Sequence, residues 1–218
     1  MQQHNHTAQH DTHASAHASA GSPWATAARA TLHCLTGCAI GEIAGLMIGT
    51  ALGLAAGWTV VLAIALAFVF GYALSTLPLV KGGLGIGAAL TLVLAADTLS
   101  IATMEVVDNA VMAVIPGAMD AGLVNPVFWV GMMIALTVAF VAAYPVNRYL
   151  MARGKGHALT HDHHGTAPAG GARRWIPDLS TPALVGVIVA FMLGGLVVSI
   201  AADLEAEPAS GHAAAENS

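Results

Sequence analysis

The sequence predicts an all-α integral membrane protein of five transmembrane helices, with the N-terminus cytoplasmic and the C-terminus outside. Three observations predict it. Only 9% of the 218 residues are charged while 56% are hydrophobic, and the mean hydropathy is +0.72; a soluble domain carries about 25% charged residues. Five apolar stretches are long enough to span, at roughly 31–53, 58–80, 84–113, 127–150 and 182–202, a span needing about 20 residues. The basic residues then fall on one side. Arg29 precedes the first span and Lys81 separates the second from the third. Arg148, Arg153, Lys155, Arg173 and Arg174 lie at or beyond the end of the fourth span, before the fifth. With five spans all seven share one face, which the positive-inside rule makes cytoplasmic.

The breaks between spans carry turn and cap residues. Gly57-Trp58 closes the first gap, and Pro78, Lys81 and Gly82-Gly83 the second. Pro116, Gly117 and Asn125-Pro126 frame the third. Ser180, Thr181 and Pro182 read as the cap of the last helix, with proline at its first position. The domain reading is a His-rich disordered cytoplasmic tail over 1–29 and a five-helix domain over 30–202. The latter contains a His-rich cytoplasmic loop at 151–180, and a disordered outer tail follows over 203–218. Residues 1–23 lack the apolar core of a signal peptide. A net charge of −5 excludes nucleic-acid binding, two cysteines exclude a disulfide scaffold, and no P-loop is present.

Polar residues inside the spans carry the functional reading. The first span holds His33, Cys34, Cys38 and Glu42, the last three spaced four apart and so on one slowly winding face. Beside them Gly37, Gly41, Gly45, Gly49, Gly53 and Gly57 recur every fourth residue, a smooth flank for close helix packing within the chain or in a homo-oligomer. The third span places Asp97, Met104, Glu105, Asp108 and Met112 on one face. Counted from 31 and from 84, Glu42 and Asp97 fall at similar mid-membrane depth. Carboxylates there cost about 2.5–3.5 kcal/mol each, and no Lys or Arg lies at mid-membrane depth in a span to neutralise them. They are protonated and hydrogen-bonded between helices, hydrated in a cavity, or bound to a cation.

Thiolate, imidazole, carboxylate and thioether are metal ligands, and the sulfur donors favour Cu(I) or another soft ion. The candidate metal residues are His33, Cys34, Cys38, Glu42, Asp97, Met104, Glu105 and Asp108. His4, His6, His10, His13 and His17 in the tail, and His157, His161, His163 and His164 in the loop, flank the same cytoplasmic face and read compositionally as metal-binding tracts. A thiol redox pair is the weaker reading, since consecutive helical turns present poor disulfide geometry.

The segment Leu32-His33-Cys34-Leu35-Thr36-Gly37-Cys38-Ala39-Ile40-Gly41-Glu42 resembles the opening motif of a bacterial membrane family catalogued as domain of unknown function 4396. Met104-Glu105-Val106-Val107-Asp108-Asn109, Pro116-Gly117-Ala118-Met119, Tyr144-Pro145-Val146-Asn147-Arg148 and Gly154-Lys155-Gly156-His157-Ala158 extend the resemblance over roughly residues 30–202. It implies an association with copper or heavy metals and a bacterial inner membrane. The expectation is a non-enzymatic transporter or channel for a soft cation, with copper as Cu(I) the leading cargo. The alternatives are a membrane copper chaperone without transport and a structural subunit of a larger membrane complex.

Overall fold

The computed structural model describes residues 22–153 and 180–215. These residues form five helices and no strand: α1 Pro23–Ala51, α2 Ala56–Lys81, α3 Ile86–Val114, α4 Pro126–Ala152 and α5 Thr181–Ala215. All five are long and apolar enough to cross a membrane. Residues 1–21 of the His-rich tail, 154–179 of the His-rich loop and 216–218 lie outside the described residues, and with them all nine histidines of those two tracts.

Local chemistry explains the boundaries. Ser22 caps α1, its Oγ accepting from Trp24 N at 3.4 Å with Pro23 in the first turn. Asn125 caps α4 in the same way, accepting from Val127 N at 2.9 Å. The first two turns are a matched pair. Gly53 (φ +64°) and Gly83 (φ +107°) each occupy the left-handed position just past a helix end. Gly53 N donates to Thr50 O and Leu54 N to Gly49 O, at 3.1 and 2.9 Å; Gly83 and Leu84 repeat the pattern on Val80 and Leu79, both at 3.1 Å. This is the Schellman closure, which a Cβ would strain.

Two boundaries differ from the sequence expectation. The first helix begins at Pro23, not near 30, because the Ser22-Pro23 cap initiates it ahead of the purely apolar run. The last helix continues to Ala215 through the expected outer tail, with the span-like part at Pro182–Glu205; the Ala and Glu residues after Asp203 favour helix, while Pro208 and Gly211 within the stretch oppose it.

Among the described residues the bundle buries a set of polar side chains within its apolar core and turns large apolar residues outward. Its buried polar side chains are Thr31, His33, Thr36, Glu42, Ser75, Asp97, Ser100, Glu105, Asp108, Asn147 and Ser199. Val61, Val69, Ile86, Val106, Val114 and Val197 are among the large apolar residues turned outward. Such an arrangement suits a hydrocarbon surrounding and no aqueous one, and the five apolar helices fit a multi-pass membrane protein.

Helix α1 is the central element and touches each of the other four. Its glycine flank lies on α2. A Cβ added at Gly37, Gly41 or Gly45 would collide with the backbone of Gly71, Ala67 or Ala63, and one at Gly49 with the Thr59 side chain. The partner stripe on α2, Thr59, Ala63, Ala67 and Gly71, has the same four-residue spacing, so the two helices meet nearly backbone to backbone. Of the two uses expected for the glycine flank, the structure shows the one within the chain. The four glycines within α1 are used inside the chain, and only Gly53 and Gly57 have nothing within 4 Å. On α4, Asn147 Nδ2 donates to Thr31 Oγ1 at 2.8 Å in a buried contact. Thr31→Val is expected to lower stability by about 0.6–1.7 kcal/mol, the range for interhelical hydrogen bonds in membranes, as read by thermal unfolding in detergent.

The helix ends sort by charge. Arg29, Lys81, Arg148 and Arg153 lie towards one end of the bundle, and Asp120, Asp203 and Glu205 towards the other. Trp24 and Tyr144 stack at the basic end, with ring centroids 6.2 Å apart.

Candidate functional site

The site is the seam between α1 and α3, completed by one residue of α2. Helices α1 and α3 run parallel, being separated by one antiparallel crossing. Cys34 stands eleven residues into α1 and Asp97 eleven residues into α3, so they come to the same level. Cys34 has Asp97, Ser75 of α2 and Ser100 as its polar neighbours. One turn on, Cys38 faces Glu105, with Glu42 and Cys34 above and below it on its own helix. A further turn on, the Glu42 carboxyl is within hydrogen-bonding reach of Asp108 and close to Glu105. Three tiers therefore climb the seam, Cys34–Asp97, Cys38–Glu105 and Glu42–Asp108, covering about 12 Å along α1 at the standard rise.

The register differs from the expected pairing of Glu42 with Asp97. Counting depth from 31 put Glu42 too near the basic end. With α1 starting at Pro23, Glu42 moves about two turns farther along and meets Asp108 instead.

Every member of the tiers is buried. Cys34 and Asp97 are 0% exposed, Cys38 is 2% exposed, Glu105 and Asp108 are each 4%, and Glu42 is 7%. Met104 is buried with both cysteines and Ile101 in the same core. His33 is also buried, but on the Gly37 flank beside the seam. Glu42 Oε2, both Glu105 oxygens and Asp108 Oδ1 lack a well-aligned hydrogen bond. Buried oxygens of that kind call for a shared proton, a water or a cation.

Ser75 and Ser100 were not anticipated. Thr31, Thr36, Thr59, Thr91, Thr98, Thr103 and Thr137 all donate to the carbonyl four residues back, the usual way to satisfy a hydroxyl in an apolar helix. The Ser75 and Ser100 hydroxyls are buried and make no such bond; they flank Cys34 instead. Spacing could have found both. Ser100 lies on the Asp97–Met104 face of α3, and Ser75 continues the four-residue stripe of α2 one step past Gly71. Three residues after Ser75, Pro78 sits inside α2 and deprives the Leu74 carbonyl of its helical partner.

The geometry sets the coordination chemistry. Among the described residues, no three His, Cys, Asp or Glu side chains converge as a group that could hold a metal ion. The donors are spread as pairs along an axis rather than gathered into a chelating cage.

A family model described as domain of unknown function (DUF4396) matches residues 23–156, more than half of the chain. The chain belongs to that family. The match takes in α1 to α4, and hence the whole seam, and stops short of α5, where the sequence resemblance was expected to reach 202. No curated protein and no solved structure matches the chain.

Proposed function

We propose that this DUF4396 protein passes a soft monovalent metal cation, Cu(I) as the leading candidate, through the seam between α1 and α3. The observation that carries the reading is the run of buried donor pairs along the bundle axis, with carboxyl oxygens left without aligned partners. Conduction needs successive sites that bind and also release. Pairs of donors in a row meet that need better than a closed site of four ligands, which would retain its ion. The soft donors Cys34, Cys38 and Met104 select the cargo. Glu105, Glu42 and Asp108 pass it on or exchange it for protons. The positive-inside rule orients the basic end to the cytoplasm of a bacterial inner membrane, with the N-terminus inside and the C-terminus outside. The His-rich segments would then gather the ion at the mouth.

A structural role is the second reading. It is supported by the same pairing, since Cys–carboxyl and carboxyl–carboxyl contacts can be protonated hydrogen bonds between helices. Metal content separates the two. Full-length protein purified under reducing conditions and loaded with Cu(I) is expected to retain copper through dialysis, and Cys34→Ser/Cys38→Ser to lose it. Equal copper in the variant would remove the thiols from the path.

A further inference from the structure

A second feature lies where α1 faces α4 and α5. Leu32 and Leu35 of α1, Met133, Leu136, Thr137 and Phe140 of α4, and four apolar residues of α5 from Ile188 to Leu193 line an open groove of about 350 Å³. Its walls are almost wholly apolar, and it runs lengthwise along the bundle. At its basic end the groove leads into a stack of a different kind. Phe140 stacks on Tyr144 at 6.1 Å and Tyr144 on Trp24 at 6.2 Å, and the Arg148 guanidinium lies 3.3 Å over the Trp24 ring. Trp24 is 55% exposed and Arg148 is exposed. No carboxylate pairs with Arg148 among the described residues.

We propose that this groove and its Arg148 end form a binding site for one anionic phospholipid. An acyl chain would lie along Leu35, Leu136 and Phe140, and the headgroup phosphate would meet Arg148. Three observations fix the occupant. The walls admit hydrocarbon only. Arg148 at the end of the groove has no carboxylate partner among the described residues, and a guanidinium over an aromatic face still offers its N–H groups to a phosphate. The lengths also agree. From Arg148 to Phe140 is about 12 Å of helix and to Met133 about 22 Å; a leaflet with its headgroups is about 20–22 Å deep. The groove therefore begins below headgroup level and ends near mid-bilayer, as an acyl chain does. Aromatic residues at that level are the usual interfacial anchors. A transmembrane helix of a partner protein would need no phosphate ligand.

The test is native mass spectrometry of the full chain in detergent, titrated with phosphatidylglycerol and with phosphatidylcholine. Wild type is expected to bind one phosphatidylglycerol about fivefold more tightly than phosphatidylcholine, the effect of one basic residue at the membrane surface. Arg148→Gln should remove that preference and leave phosphatidylcholine binding unchanged. Thr137→Trp fills the groove from an exposed position and should weaken both lipids. Equal binding of the two lipids by wild type would overturn the site. So would undiminished phosphatidylglycerol binding in either variant, or a dimer that carries no lipid.

Discussion

Gly41→Leu is expected to abolish the folded protein. A side chain at position 41 would enter the space held by the backbone of Ala67, and backbone cannot turn aside as a flexible side chain can. The α1–α2 seam would have to open over its whole length, from Gly37 on Gly71 to Gly49 on Thr59. Overpacking of this kind costs about 3 kcal/mol or more. The loss would also carry Ser75 away from Cys34, because both ride on the same helix pair. Gly57→Leu is the control: Gly57 has nothing within 4 Å, so its effect should stay within about 0.5 kcal/mol. Monodispersity and thermal unfolding in detergent report both. A Gly41→Leu protein melting like wild type would show that α1 and α2 are not in close contact.

The second large effect is on flux. In Glu42→Gln/Asp108→Asn the third tier keeps its shape and hydrogen-bonding capacity but cannot ionise. Copper movement in proteoliposomes should fall at least tenfold, since a cation arriving from Cys38 and Glu105 would find no anionic site ahead. Folding should be unharmed, because neutral amides are cheaper to bury than unpaired carboxylates. Copper retained at Cys34 and Cys38 should also persist, as those thiols belong to lower tiers. Asp97→Asn is expected to behave differently. Asp97 stands against Cys34 and not Glu42, so its amide should weaken metal retention at the thiols as well as flux. Normal flux in the Glu42/Asp108 variant would exclude the third tier from the path.

The contrast between Glu42 and Asp97 also shows how far the sequence could be read. The helices were legible because apolar length and the Gly, Pro and Asn-Pro punctuation act locally. The polar faces were legible because a four-residue spacing on a helix is geometry. Depth was not. It depends on where α1 begins, and Ser22-Pro23 extend it two turns beyond the apolar run. Pairing across helices then follows depth, so an eight-residue difference at one end exchanged Asp97 for Asp108. The glycine repeat was legible as a packing flank, but its partner was not, since the matching stripe on α2 mixes Thr59, Ala63, Ala67 and Gly71 without a uniform signature. Ser75 and Ser100 were missed for a related reason. A serine in an apolar helix normally bonds to its own backbone, so their place on the two polar or small-residue stripes was a signal easily passed over, and the absence of that bond in three dimensions makes it plain.

The central claim is that a soft cation moves along the α1–α3 seam. It is tested most directly by loading sealed proteoliposomes of the full chain with a Cu(I) chelating indicator and adding Cu(I) outside under reducing conditions. Wild type is predicted to carry copper in well above protein-free vesicles and to saturate, with Cys34→Ser/Cys38→Ser reduced to the protein-free rate. Wild-type flux no faster than that of empty vesicles, whichever way the protein is inserted, would contradict the claim and leave the seam as interhelical packing.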